Sequence, residues 1–240
     1  MFYPALKFSR KSGRPTFYSN FVSTLDGKVA IYGKDAEKYW PLGSKLDYEV
    51  LTELRGYADV LLHGKVTAST FSTVKGLARP TFAALRKKLG KRQPLLYIVV
   101  SASPDKKLLQ NLKNREGVRP LLLTTKGAKL PAGAEKVVDI LRLGTKAVDL
   151  KALSRYLYKK GIRRVLLEGG PNTLGSFFAA GLVDEIFLTV APKVLGGRAG
   201  KTATMVEGMV FKADKVKRFQ LASMKKAGDE LFLRYAGKAS

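Results

Sequence analysis

There is no cysteine in the 240 residues of this chain. That absence removes disulfides, thiolate nucleophiles and cysteine-held zinc or iron–sulfur centres together. Histidine occurs once, as His63, so a multi-histidine metal site is excluded and no metal is expected. No apolar run approaches the roughly 20 residues that a membrane-spanning helix needs. The first residues also lack the apolar core of a signal peptide, so a cytoplasmic protein without membrane contact is expected. Acid is scarce: 19 Asp and Glu stand against 44 Lys and Arg, a formal net charge of +25. What remains for chemistry is hydroxyls, carboxylates, Lys and Arg, backbone amides, or a borrowed cofactor.

So positive a field attracts polyanions and phosphorylated small molecules. Between Lys75 and Arg92 there are seven cations and no acid. The middle of that stretch, Pro80–Leu89, sets Phe82, Leu85 and Leu89 on one helical stripe and reads as a helix with a solvated basic face. No nucleic-acid-binding motif accompanies it. A basic nucleic-acid-binding module is therefore an alternative supported by charge alone, and nucleic acid is not the expected partner. Met1–Arg14 is basic too, but Phe2, Tyr3 and Phe8 suit an ordered arm packed on a domain.

A composition 45% hydrophobic and 26% charged is that of a globular domain. Strand-like and helix-like segments alternate along it. Phe17–Leu25 reads as a strand closed by the turn Asp26-Gly27. Ser44 reads as the N-cap of a helix through Leu46, Val50, Leu51 and Leu54, stopping near Gly56. Strands are expected at Asp59–His63, Leu95–Val100, Arg119–Thr124, Lys136–Leu141, Arg163–Leu167 and Glu185–Ala191. Helices are expected at Pro104–Lys113, Val148–Lys160 and Asn172–Ala180. Lys215–Lys226 and Leu231–Tyr235 read as an antiparallel hairpin turning at Ala227-Gly228-Asp229. This order predicts a single α/β domain over residues 1–240, with 1–14 as its arm and a mostly parallel sheet.

Three segments carry chemistry. In Arg163–Gly175 a buried strand runs into Glu168-Gly169-Gly170 and then a helix, whose free N–H groups and dipole make an anion site. Val60–Thr67 is a second strand ending in glycine and hydroxyls, Gly64 and Thr67, followed by Ser69, Thr70, Ser72 and Thr73. Such a strand end can hold a dinucleotide pyrophosphate or ribose. The third is the turn Ser23-Thr24-Leu25-Asp26-Gly27-Lys28. His63, at a strand end beside the crevice, reads as a satisfied structural histidine.

In this order and spacing, the three resemble the reductase of riboflavin biosynthesis and its dihydrofolate-reductase-like superfamily. The matching motifs are Ser23–Lys28, Leu54-Arg55-Gly56 before an apolar strand, Gly64-Lys65-Val66-Thr67, Glu168-Gly169-Gly170-Pro171-Asn172-Thr173-Leu174, Val183–Phe187 and Pro192-Lys193-Val194-Leu195-Gly196-Gly197. The likeness spans about Pro15 to Tyr235.

It implies a three-layer dihydrofolate-reductase-like α/β fold, a mostly parallel mixed sheet with a C-terminal antiparallel hairpin. It implies an NADPH-dependent oxidoreductase that reduces 5-amino-6-(5-phosphoribosylamino)uracil, or its deaminase precursor, by hydride transfer to ribose C1′. NADPH would lie on Val22, Ser23, Gly64, Thr67, Ser101, Gly169, Gly170, Pro171, Asn172, Thr173, Leu174, Gly175 and Ser176. The phosphorylated pyrimidine would meet Arg55, Lys28, Glu168, Ser44 and Trp40, with Lys28, Asp26 and Glu168 as the catalytic candidates. A homodimer is implied as well, through the apolar hairpin residues Leu221, Leu231, Phe232 and Leu233. The chain departs from the family where Ala68–Val74 lacks the usual Asp-x-Pro or Asn-Pro loop. A dihydrofolate reductase or orphan reductase is the alternative, with its pterin-binding acid drawn from Asp47, Glu49 or Glu53.

Overall fold

A computed structural model describes residues 1–4, 6–33, 41–70, 77–113, 118–198 and 200–237. Trp40, Lys75, Ser72 and Thr73, singled out above, lie outside these. The centre of the molecule is a sheet whose first strand, β1 (Thr16–Ser23), is buried along its whole length. Strands enclosed on both faces read as near-continuous apolar runs, and Val60–Gly64 (β3), Leu95–Val100 (β4) and Arg164–Leu167 (β7) do so. With β5 (Val118–Thr124), β6 (Asp139–Arg142), β8 (Glu185–Val190), β10 (Phe219–Ala227) and β11 (Glu230–Gly237), the order is β10-β11-β8-β1-β7-β3-β4-β5-β6. Pairing is parallel from β8 to β6 and antiparallel from β8 through the terminal hairpin.

Helices cover both faces, giving three layers. On one side α1 (Lys45–Tyr57), α3 (Pro80–Lys88) and α4 (Lys106–Lys113) bury Val50, Leu54, Phe82, Leu108 and Leu112 against Tyr18, Leu61 and Tyr97. On the other, α5 (Leu150–Lys159) and α6 (Pro171–Ala179) bury Leu153, Leu157, Leu174 and Phe177 against Phe17, Leu62 and Leu167. The cap expected at Ser44 is present, its Oγ accepting from the Asp47 amide, and Asp149 caps α5 by accepting from the Ala152 amide. The N-terminal arm is ordered. Its Phe2 ring lies 4.7 Å from Phe232, Tyr3 5.4 Å from Phe187 and Phe8 4.6 Å from Tyr18.

Four local expectations need correction. The hydroxyl-rich run after Gly64 is a short helix, α2 (Lys65–Thr70), not a loop. Ser and Thr disfavour helix interiors; here burial of Ala68 and bonds from Asn111 to the Ala68 and Ser69 carbonyls oppose that preference. The strand expected from Lys136 begins only at Asp139, because Ala134–Lys136 is a 3₁₀ turn entered through the left-handed Gly133, and Ala213–Lys215 is another before β10. Two pairs, β2 (Ala30–Ile31) and β9 (Thr202–Ala203), form a separate small sheet. Finally, Arg86 is not on the solvated face of α3. It is buried and donates to the carbonyls of Ala58 and Gln93 at 2.8 and 2.7 Å.

Candidate active site

The carboxyl ends of β1, β3, β4 and β7 meet at one edge of the sheet, where an open α/β sheet forms its ligand crevice. The two glycine-bearing strand ends close on each other there. The Gly64 amide donates to the Gly169 carbonyl at 2.6 Å, and the Gly169–Gly170 peptide is cis. A Cβ on Gly64 would lie 2.1 Å from Thr173 Oγ1, and one on Gly170 would lie 3.2 Å from Thr67 Oγ1. Gly64, Thr67, Gly169, Gly170 and Thr173 are thus one cluster. Gly170 caps α6 without a side-chain bond, and Pro171 at the first position leaves that helix end to backbone groups. Val100, Asn172, Thr173, Ser176 and Phe177 line a cavity of about 180 Å³ beside it.

These residues suit a pyrophosphate-bearing dinucleotide. A helix N-terminus faces the edge, glycines leave room at the backbone, and the buried Ser101 Oγ just past β4 has no hydrogen-bond partner among the described residues. Val22 and Ser23 are buried at the end of β1. Leu174 and Gly175 do not join this surface. Leu174 lies in the core, and a Cβ on Gly175 would meet the Glu207 carbonyl at 2.0 Å. Helical periodicity turns both inward, away from the edge that Asn172, Thr173 and Ser176 face.

On the α1 side of the same edge stands a buried polar group. Arg55 Nε and Nη2 donate to Glu168 Oε1 and Oε2 at 2.7 and 2.6 Å, and His63 Nε2 lies 3.1 Å from Oε2. Burial opposes ionisation of Glu168, but the Arg55 charge and its two hydrogen bonds, helped by His63, hold its carboxyl down at about 2. Arg55 is itself buried, so its fork grips Glu168 rather than reaching toward a ligand at the crevice mouth. Glu168 is correspondingly an acceptor and not a proton source.

Asp26 is an acceptor too. It takes hydrogen bonds from Thr24 Oγ1 at 2.6 Å and from the Leu195 and Gly196 amides at 3.1 and 2.8 Å, which lower its pKa. It therefore clasps the β1 turn to the segment after β8. Lys28, on that turn, packs on Gly197, and among the described residues no carboxylate lies within ion-pair distance of its ammonium. Ser44 is engaged elsewhere, its amide and hydroxyl donating to Glu230 at 2.7 and 2.6 Å.

Asp47, which the sequence offered only as a pterin-binding acid of the alternative reading, carries chemistry here as well. It is buried at the start of α1 with Oδ1 unpartnered among the described residues, and desolvation, set against a Thr189 hydrogen bond, pushes its pKa up to about 6. Thr189 pairs with Val22 in the sheet, so Asp47 stands at the β1–β8 side of the crevice. The polar residue at a helix position otherwise facing core was the available signal. A larger cavity of about 590 Å³ lies between the arm, α1 and α3. It holds none of the strand-end residues, and the chemistry favours the smaller cleft.

Residues 15–233 match the protein family described as the RibD C-terminal domain. The 2,5-diamino-6-ribosylamino-4(3H)-pyrimidinone 5′-phosphate reductase of Archaeoglobus fulgidus is 28% identical over 209 residues, covering 85% of this chain and 94% of that protein. The enzyme of the same name from Methanothermobacter thermautotrophicus is 28% identical over 228 residues, 94% of this chain and 99% of its own. Among solved structures, a pyrimidine reductase-like protein from Corynebacterium diphtheriae has the same fold, with a TM-score of 0.68 at 20% identity over 94% of this chain and 93% of that one.

Proposed function

This chain belongs to the RibD C-terminal domain family, and from that membership we propose that it is a pyrimidine reductase of riboflavin biosynthesis using NADPH. The observation that carries the reading is the closure of Gly64 on Gly169 beside the Arg55–Glu168 pair, at the carboxyl edge of a parallel sheet. The proposed substrate is 2,5-diamino-6-ribosylamino-4(3H)-pyrimidinone 5′-phosphate, the compound in the names of two relatives of similar length.

Bound reduced nicotinamide would supply the hydride, delivered to the sugar C1′. The residues of the chain do the rest. Gly64, Thr67, Gly169, Gly170 and the first turn of α6 would hold the pyrophosphate, and Ser101 would give a hydroxyl to the ribose or phosphate. Val22 and Ser23 would floor the nicotinamide and keep water from it. Lys28 would meet the substrate phosphate or hold the proton that the product nitrogen takes up. Glu168 would accept from N–H groups of the pyrimidine, with Arg55 acting through it. The chain would form one domain with its arm, and two copies would associate through the apolar strip Leu188–Leu233–Met224, continued by Leu221, of which Met224 and Leu221 are exposed.

Fluorescence titration with NADPH and NADH, followed by turnover of the diaminopyrimidine ribotide, tests the reading. Saturable NADPH binding and ribityl product are expected. A chain that binds neither dinucleotide is not this enzyme.

A further inference from the structure

His63 is the only histidine of the chain, and it is buried between two hydroxyl- and carboxylate-bearing side chains. Its Nδ1 lies 2.9 Å from Tyr97 Oη and its Nε2 3.1 Å from Glu168 Oε2, with the Tyr97 ring edge-on at 5.3 Å. The protons in this chain of contacts are dictated by its end. Glu168 is an ionised carboxylate and can only accept, so Nε2 must carry hydrogen. Nδ1 bonds the Tyr97 hydroxyl, which holds the ring in this orientation.

The consequence falls on the two oxygens of Glu168. Among the described residues, Oε2 receives Arg55 Nη2 and His63 Nε2, whereas Oε1 receives Arg55 Nε alone. Each carboxylate oxygen offers two acceptor positions. We propose that His63, oriented by Tyr97, is a positioning residue that fills Oε2 and leaves Oε1 as the acceptor presented to an N–H donor of the substrate. It would thereby help select an amino- or imino-bearing pyrimidine over a ring offering only acceptors. This step rests on the reductase reading, but the proton arrangement of the free protein does not.

The test has two parts. Nitrogen-15 NMR of the single imidazole, on the full chain without ligand, should show a protonated Nε2. Tyr97→Phe should leave Nε2 protonated, because Glu168 alone dictates it. In turnover of the diaminopyrimidine ribotide, His63→Leu should raise KM roughly tenfold, the range for losing a hydrogen bond to a charged group, with a smaller change in kcat and unchanged NADPH affinity. His63→Gln, which keeps a donor toward Glu168, should recover most of the loss. An unprotonated Nε2, or a folded His63→Leu protein with unaltered KM, overturns the proposal. A merely space-filling histidine would give a lower melting temperature in both variants, no KM shift and no rescue. If the wild-type chain turns over no pyrimidine, the reductase reading falls, and the tautomer then decides the arrangement of His63 by itself.

Discussion

Glu168 stays ionised where water scarcely reaches because Arg55 lends it a charge and a two-pronged hydrogen bond from the neighbouring layer. With its carboxyl near 2, against 4.5 for the ordinary group, the stability it contributes is fully present above about pH 4.5. It is lost as pH falls through the window down to about 2. Removing the partner alone leaves a buried, unanswered charge, which typically costs about 3–5 kcal/mol. Arg55→Ala should therefore lower stability by about that much in urea unfolding at pH 7, and Arg55→Met with Glu168→Met should be markedly milder. A stable Arg55→Ala protein with only a raised KM would return Arg55 to the substrate phosphate. Asp47 is the opposite case. Its folded pKa, about 6, lies above the unfolded 3.8, so the folded state holds the extra proton. Stability is greatest below about pH 3.8, declines as pH rises to about 6 and is level beyond. Asp47→Asn should stabilise the protein at pH 8 by something on the order of 2–3 kcal/mol, a gain that vanishes below pH 4; a destabilised variant at pH 8 would show the buried carboxylate to be well solvated. Neither behaviour is visible in single letters. Glu168 and Gly64 announced themselves by motif, but the pairing of Arg55 with Glu168 links residues 113 positions apart, which local spacing does not encode.

The elements were legible wherever local chemistry and burial agree. α1 has its cap at Ser44, its apolar stripe and its stop, and the buried strands are short β-branched and leucine runs between turns. They were not legible where tertiary contact alone decides, as in α2, whose Ser and Thr are held helical against α4, or in the two-residue pair β2–β9. The strand-to-helix turns can be tested through their glycines. A Cβ on Gly64 meets a side-chain atom, Thr173 Oγ1, whereas a Cβ on Gly175 meets a main-chain oxygen, that of Glu207. Both Ala substitutions should destabilise by roughly 1–3 kcal/mol, the usual cost of overpacking. Adding Thr173→Ala should recover much of the Gly64→Ala loss, because the obstructing hydroxyl goes with it. No side-chain deletion at Glu207 should rescue Gly175→Ala. Equal rescue in thermal melts, or none in either, would contradict this packing.

At the scale of the molecule the charge is distributed with a bias. Helices that run against parallel strands end at the amino edge of the sheet, opposite the crevice, and their last turns carry Lys87, Lys88, Lys159 and Lys160, with Arg92 and Arg163 beside them. Lys87, Lys88 and Lys159 lie at the negative ends of their helices, and Arg163 donates to the Tyr158 carbonyl. Asp59 ties the two groups together through Lys91 and the Arg163 and Arg164 amides. The apolar strip on β8, β11 and β10 lies away from that edge, at the far side of the sheet, where Met224 and Leu221 are more than half exposed. Two copies meeting there would bury hydrocarbon while each carries a net charge of +25. Their repulsion acts over the Debye length, about 30 Å at 0.01 M salt and about 8 Å at 0.15 M. Screening should thus strengthen association without touching the apolar contact. Light scattering should show the dimer fraction, and melting curves the midpoint, rising between 0.01 and 0.15 M sodium chloride. Met224→Lys should abolish the dimer at both. A dimer that dissociates as salt is added would mean that ion pairs hold the interface, and the apolar strip would not be its centre.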